Sequence, residues 1–168
     1  MMSRIIRWIA ARFDAYRKME KGSFLWRITL EGLVIPLVLV GPFIVAFDLP
    51  PRVVDFNDAR FWLTAIVVAP LLETILLQTF PVMVARRLRA GFWVQVVAGM
   101  GLFAATHFAL GVAAGLMAGV AGGFYFSFTY VHWRQESLSS AVWMTAATHG
   151  LHNLVICLAG FATQAVAS

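Results

Sequence analysis

The chain is organised around five apolar stretches, residues 30–47, 61–85, 92–110, 112–131 and 138–161, separated by short polar turns. About 30 Å of hydrocarbon is crossed by roughly 20 helical residues, so each stretch is long enough, or nearly so, to span a bilayer. Within lipid every backbone N–H and C=O must find a partner in the chain itself, and stretches of this length select α-helices. The expected fold is therefore all-α, a polytopic membrane bundle of about five transmembrane helices. With 61% of the 168 residues hydrophobic and 12% charged, and a mean hydropathy of +0.81, a soluble domain is excluded.

The net charge of +5 comes mostly from the first part of the chain. Ile5, Ile6, Trp8, Ile9, Phe13 and Tyr16 recur at helical spacing among Arg4, Arg7, Arg12, Arg17 and Lys18. That pattern predicts an amphipathic helix in the headgroup layer. Residues 1–28 are thus read as a basic membrane-surface segment preceding a transmembrane domain over 29–168, and the lipid bilayer, not nucleic acid, as the partner of this charge. The segment has no uninterrupted apolar core or small-residue cleavage site, so it does not match a signal peptide. Arg86, Arg87 and Arg89 form a second basic loop, whereas residues 48–60 carry Asp48, Asp55 and Asp58 against Arg52 and Arg60. The positive-inside rule then places the N-terminus in the cytoplasm and the C-terminus outside. The single cysteine, Cys157, lies in an apolar run, so there is no disulfide framework.

Gly111, Gly115, Gly119 and Gly123 recur every fourth residue. Such a small-residue stripe lets a neighbouring helix approach closely, and the near-absence of residues between the third and fourth stretches predicts a tight hairpin.

Polar side chains at membrane depth are the other signal. Glu73 falls near the middle of the second stretch, where a carboxylate costs on the order of 2.5 to 3.5 kcal/mol by insertion scales. His107 falls in the third stretch, and His149, His152 and Asn153 in the fifth. His149 and Asn153 are four apart and share a helix face. Thr74 and Gln78 repeat that spacing on the second stretch, offset from Glu73 by about 100° on an ideal α-helix. A carboxylate beside an imidazole can deprotonate water, while a second imidazole and an amide can donate to the oxyanion of a tetrahedral intermediate. That set suffices for peptide hydrolysis without a covalent nucleophile. No second intramembrane acid is expected to pair with Glu73, and no His-Glu-x-x-His zinc motif is present. A zinc ion held by Glu73, His107 and His149 is the rival chemistry.

The elements "PLLETILLQ", "FAATH" and "HGLHN", in that order on three helices, resemble the Glu-Glu-x-x-x-Arg, Phe-x-x-x-His and His-x-x-x-Asn elements of the CAAX prenyl protease and bacteriocin-processing (CPBP, or ABI) family of intramembrane glutamic endopeptidases. The resemblance covers roughly residues 61–161. It implies Glu73 as general base assisted by His107, with His149 and Asn153 stabilising the oxyanion, no cofactor, and a membrane-associated or lipid-anchored peptide or protein as substrate. It also implies a bacterial cytoplasmic membrane as the location. Phe103, Thr74, Gln78 and His152 are the expected supporting or substrate-contacting residues. Thr74 stands where the family usually has its second Glu, and Gln78 where it has Arg, so one charge pair is replaced by two neutral hydrogen-bonding groups. The alternative implied by that departure is an inactive member that binds hydrophobic peptides as an immunity or scaffold protein.

Overall fold

The computed structural model describes residues 11–49, 54 and 56–167, and among them the chain is helical with no strand. Ile5, Ile6, Trp8 and Ile9 of the expected amphipathic helix, and Arg52 and Asp55 of the acidic loop, lie outside the described residues. Five helical rods follow the five apolar stretches: α1 (Lys21–Ala46), α2 (Ala59–Arg87), α3 (Phe92–Phe108), α4 (Val112–Trp133) and α5 (Leu138–Ala167). Among the described residues α1, α2 and α4 are long and apolar enough to cross a membrane, α3 is a shorter apolar helix of 17 residues, and α5 runs for 30 residues.

Burial is inverted relative to a water-soluble protein. Leu37, Val45, Leu63, Leu76 and Leu158 are exposed, whereas Thr74, Gln78, Ser127, Thr129 and Thr145 are buried. An apolar exterior faces hydrocarbon at no cost, and the polar atoms are kept inside where other helices surround them.

The basic segment contributes to the interior where it is described. Residues 11–16 are helical, and the Phe13 ring packs on Trp93, Phe124 and Phe128 at centroid distances of 5.2, 5.8 and 4.8 Å. Tyr16 and Phe24 are fully buried in the main hydrophobic cluster with Ile28, Val82, Val96 and Phe128. Beneath them lies Glu31, a second buried acid, held by Arg12 at 2.7 Å and Arg27 at 3.0 Å. Burial, and then the nearby Glu31 carboxylate, raise the Tyr16 hydroxyl above its ordinary range and keep it protonated.

Two contacts fix which ends of the rods lie together. Lys21 meets Glu136 at 2.7 Å, which puts the start of α1 beside the α4–α5 turn. Phe56 lies against Gly160, which brings the residues just before α2 and the end of α5 together at the opposite face. Arg86, Arg87, Arg89 and Arg134 thus share one end with the start of α1.

The glycine stripe joins α3 to α4. A Cβ at Gly119 would stand 3.0 Å from the Cα of Ala104 and the Cβ of His107, one at Gly123 would stand 3.0 Å from Phe103, and Gly115 faces the Phe108 ring. Gly111 does not belong to this contact surface. Its φ is +123°, and a Cβ there would meet nothing within 4 Å, so its role is the hairpin turn that only a residue without a side chain adopts easily. Period four continued one step beyond the helix, because the turn needs glycine for a different reason.

α2 is not a uniform α-helix. Thr64–Val68 and Thr74–Thr79 are wound as π-helix on either side of Ala69–Glu73. Each widened segment sits just before a proline, Pro70 or Pro81, whose missing N–H and ring displace the carbonyl four residues earlier.

Because the stripe leaves no room for a methyl group against the Ala104 backbone, Gly119→Ala is expected to lower stability by about 1 to 3 kcal/mol. Gly101→Ala, whose added carbon meets nothing within 4 Å, is expected to be neutral or slightly stabilising. Reversible unfolding of the detergent-solubilised protein measures both, and equal effects would contradict the stripe.

Candidate active site

Pro70 and the π-helical turn before it leave α2 carbonyls without their usual helical donors, and α5 comes to meet them. Asn153 donates from Nδ2 to the carbonyl oxygen of Ala65 at 2.8 Å. One turn earlier, a Cβ at Gly150 would stand 2.5 Å from the carbonyl oxygen of Ile66, so only a hydrogen atom fits there. Gly150 and Asn153 therefore dock α5 directly onto the backbone of α2.

That docking carries His149 to Glu73. Nε2 of His149 lies 3.8 Å from Oε2 of Glu73, with the imidazole nearly buried and the carboxylate side chain 30% exposed. Oε2 of Glu73 and Nδ1 of His149 make no hydrogen bond among the described residues. The His149 ring is held by stacking on Phe126, with centroids 4.1 Å apart. A carboxylate partly open to its surroundings and facing an imidazole at this distance can exchange a proton with a small molecule touching both.

His107 comes from the last turn of α3. Its Nδ1 donates to the carbonyl oxygen of Phe103 at 2.9 Å, since a carbonyl only accepts, and this leaves the basic lone pair on Nε2. Its ring stacks on Phe103 at 4.3 Å, and the same Phe103 ring meets His149 edge-on at 5.7 Å. Fully buried Phe103 is thus the wedge between two histidines from different helices, and Gly119 and Gly123 of α4 close in behind it.

Thr74 and Gln78 are fully buried, and Thr74 Oγ1 and both Gln78 amide atoms make no hydrogen bond among the described residues. Glu73 remains partly exposed while Thr74, its neighbour, is enclosed, so the two point to different sides of α2. His152 faces elsewhere. Its Nδ1 approaches Gly32 of α1, at 3.6 Å from a Cβ placed there, and its ring meets Phe126 edge-on at 5.5 Å. The same Phe126 ring stacks on His149.

Among the described residues no group of three His, Cys, Asp or Glu side chains is placed to hold a metal ion. Two features are not legible in the sequence pattern alone. Glu31 is a second acid within the helical rods, paired with Arg12 and Arg27, and Arg27 four residues before it was the available signal. Gly150 matters as much to the docking as Asn153, and Pro70 in the facing helix was the sign that backbone there would need a partner.

Gly150→Ala is expected to lower stability by about 1 to 3 kcal/mol by forcing α5 off the α2 backbone. Asn153→Ala is expected to lose about 1 kcal/mol, as for interhelical hydrogen bonds in membranes. Gly22→Ala, in open surroundings, serves as reference in the same unfolding measurement, and a Gly150→Ala effect no larger than that reference would rule out the close contact.

One family model, that of Rce1-like type II CAAX prenyl endopeptidases, matches residues 55–155, more than half of the chain. The matched range takes in Glu73, Phe103, His107, His149 and Asn153 together with Thr74, Gln78 and His152. No curated protein and no solved structure gives a significant match.

Proposed function

The chain belongs to the Rce1-like family of type II CAAX prenyl endopeptidases, a protease family, and from that premise we propose that it hydrolyses a peptide bond of a membrane-associated or lipid-anchored peptide using water activated at Glu73. The observation that carries the proposal is the approach of Glu73 Oε2 to His149 Nε2 at 3.8 Å inside a helical bundle. Among the described residues Glu73 forms no ion pair with Lys or Arg, in contrast to Glu31, which two arginines neutralise.

In the proposed reaction Glu73 takes a proton from water, and the hydroxide adds to the scissile carbonyl carbon. The resulting oxyanion is met by an N–H of His149 and by the second N–H of Asn153, whose first is engaged by Ala65. The proton held by Glu73 passes to the leaving amine as the C–N bond breaks. His107, with its Nδ1 fixed on Phe103, assists in proton transfer through Nε2. The enclosed, neutral Thr74 and Gln78 occupy the places of a Glu and an Arg, and their joint replacement avoids leaving one unpaired charge in a dry interior.

Glu73→Gln should abolish cleavage while leaving the helical content and unfolding midpoint unchanged, because the amide keeps the shape but takes no proton. His107→Ala should be nearly as severe. Asn153→Ala should slow turnover by about 10² to 10³ with little change in substrate binding. Chelators should have no effect. Each variant is assayed on the membrane peptide that accumulates uncleaved when the chain is deleted. Full activity in Glu73→Gln would sink the glutamate mechanism, and loss to chelator with restoration by zinc would move the chemistry to a metal. A wild-type protein that binds the peptide without cleaving it would be the peptide-binding, immunity or scaffold protein.

A further inference from the structure

A second polar feature lies at the other end of α2. Fourteen residues of helix separate Glu73 from Arg87, about 20 Å at 1.5 Å per residue. There a cavity of about 280 Å3 opens between α2, the end of α4 and the start of α5. Arg86 and Arg87 from the last turn of α2 and Arg134 from just beyond α4 supply its charge, while Val82, Met83 and Leu138 supply an apolar wall.

The three guanidinium groups have no acidic counterpart among the described residues. Every ion pair there involves Arg12, Arg17, Lys21, Arg27 or His149, and residues 1–10 contain no Asp or Glu. Asp55, the one acid between residues 50 and 55, lies outside the described residues. Orientation in the membrane requires only that positive charge be abundant on one side. It does not require arginines from two separate parts of the chain to converge on one recess. The wall of that recess also runs out onto the surface, where Met83, Leu138, Phe80 and Leu88 are exposed. A cationic recess continuous with a lipid-facing apolar surface suits a ligand with an anionic head and an apolar tail. Guanidinium groups pair with phosphate oxygens two at a time, and they are less strongly hydrated than ammonium groups.

We propose that the cavity between Arg86, Arg87 and Arg134 binds the phosphate headgroup of an anionic phospholipid whose acyl chains lie along Met83 and Leu138. This site is separate from the Glu73–His149 pair, and it stands or falls independently of the protease reading.

The test uses the full chain purified in detergent, with bound lipid counted by native mass spectrometry. Phosphatidylglycerol and phosphatidylcholine of identical acyl chains are offered at equal concentration, alone and with inorganic phosphate. Phosphatidylglycerol should be retained in preference, and millimolar phosphate should not displace it. Each cation near a membrane surface changes anionic-lipid affinity by about 5-fold, so the Arg86→Gln/Arg134→Gln double variant should bind phosphatidylglycerol about 25-fold more weakly. Arg89→Gln, on the same loop but outside the cavity lining, should bind as the wild type does. Equal retention of the two lipids, or equal loss in Arg89→Gln, would overturn the proposal in favour of diffuse surface charge. Displacement by phosphate would also overturn it, and would make the cavity a free-anion site. Should the double variant fail to fold, judged by helical content, the wild-type lipid preference and its response to phosphate decide the question.

Discussion

A backbone carbonyl inside hydrocarbon needs a donor, and in this protein that requirement is met across two helices by Asn153 and Ala65. Pro70 interrupts the hydrogen-bond ladder of α2, the helix widens into a π turn at Thr64–Val68, and α5 answers with a glycine that lets it close in and an amide that binds. His149 stands one turn before Asn153 on the same face, so the contact that assembles the two helices also sets the distance between imidazole and Glu73. Structure and the proposed chemistry share one motif here because both need α5 close to α2. The other half of the site follows from the same economy of space. Glycines of α4 let α3 approach until Phe103 is wedged between His107 and His149.

Glu31 and Glu73 show how environment divides roles among identical side chains. Glu31 is surrounded by Arg12 and Arg27 and lies beneath Tyr16, so its charge is compensated and it ties residues 11–16 to α1. Breaking such a pair leaves an uncompensated charge, which is costly in a low-dielectric interior. Glu73 has only a histidine before it. A carboxylate that is partly desolvated and lacks a fixed cation can change protonation state as a reaction proceeds, which a firmly paired one resists. The proposed base and the structural anchor therefore differ in the charged groups that surround them.

Thr74 and Gln78 illustrate a third outcome. Their side chains are enclosed without compensating hydrogen bonds among the described residues, a state that neutral groups endure at a few kcal/mol but charged ones do not. Placing a lone Glu or a lone Arg at either position would be far more expensive than placing both or neither. The observed sequence has neither.

The sequence by itself determined the helical class and the five rods and singled out the candidate site residues, because these follow from local quantities: the length of apolar runs, the four-residue period and the cost of polar groups in lipid. It also pointed to the α3–α4 contact through the stripe from Gly115 to Gly123, although Gly111 had to be reassigned to the turn. Membership of the protease family was legible in three short motifs, since their residue types and order survive the loss of one Glu and one Arg. Only the tertiary structure decided that Glu31 is an anchor and Glu73 is not, that His152 turns toward α1, and that Phe103 separates the two histidines. Those outcomes depend on which residues distant in the chain arrive at the same place. Helical period ranks the faces of each rod but carries no information on how one rod is rotated against another, and in this bundle that rotation is set by backbone contacts at Gly119, Gly150 and Ala65.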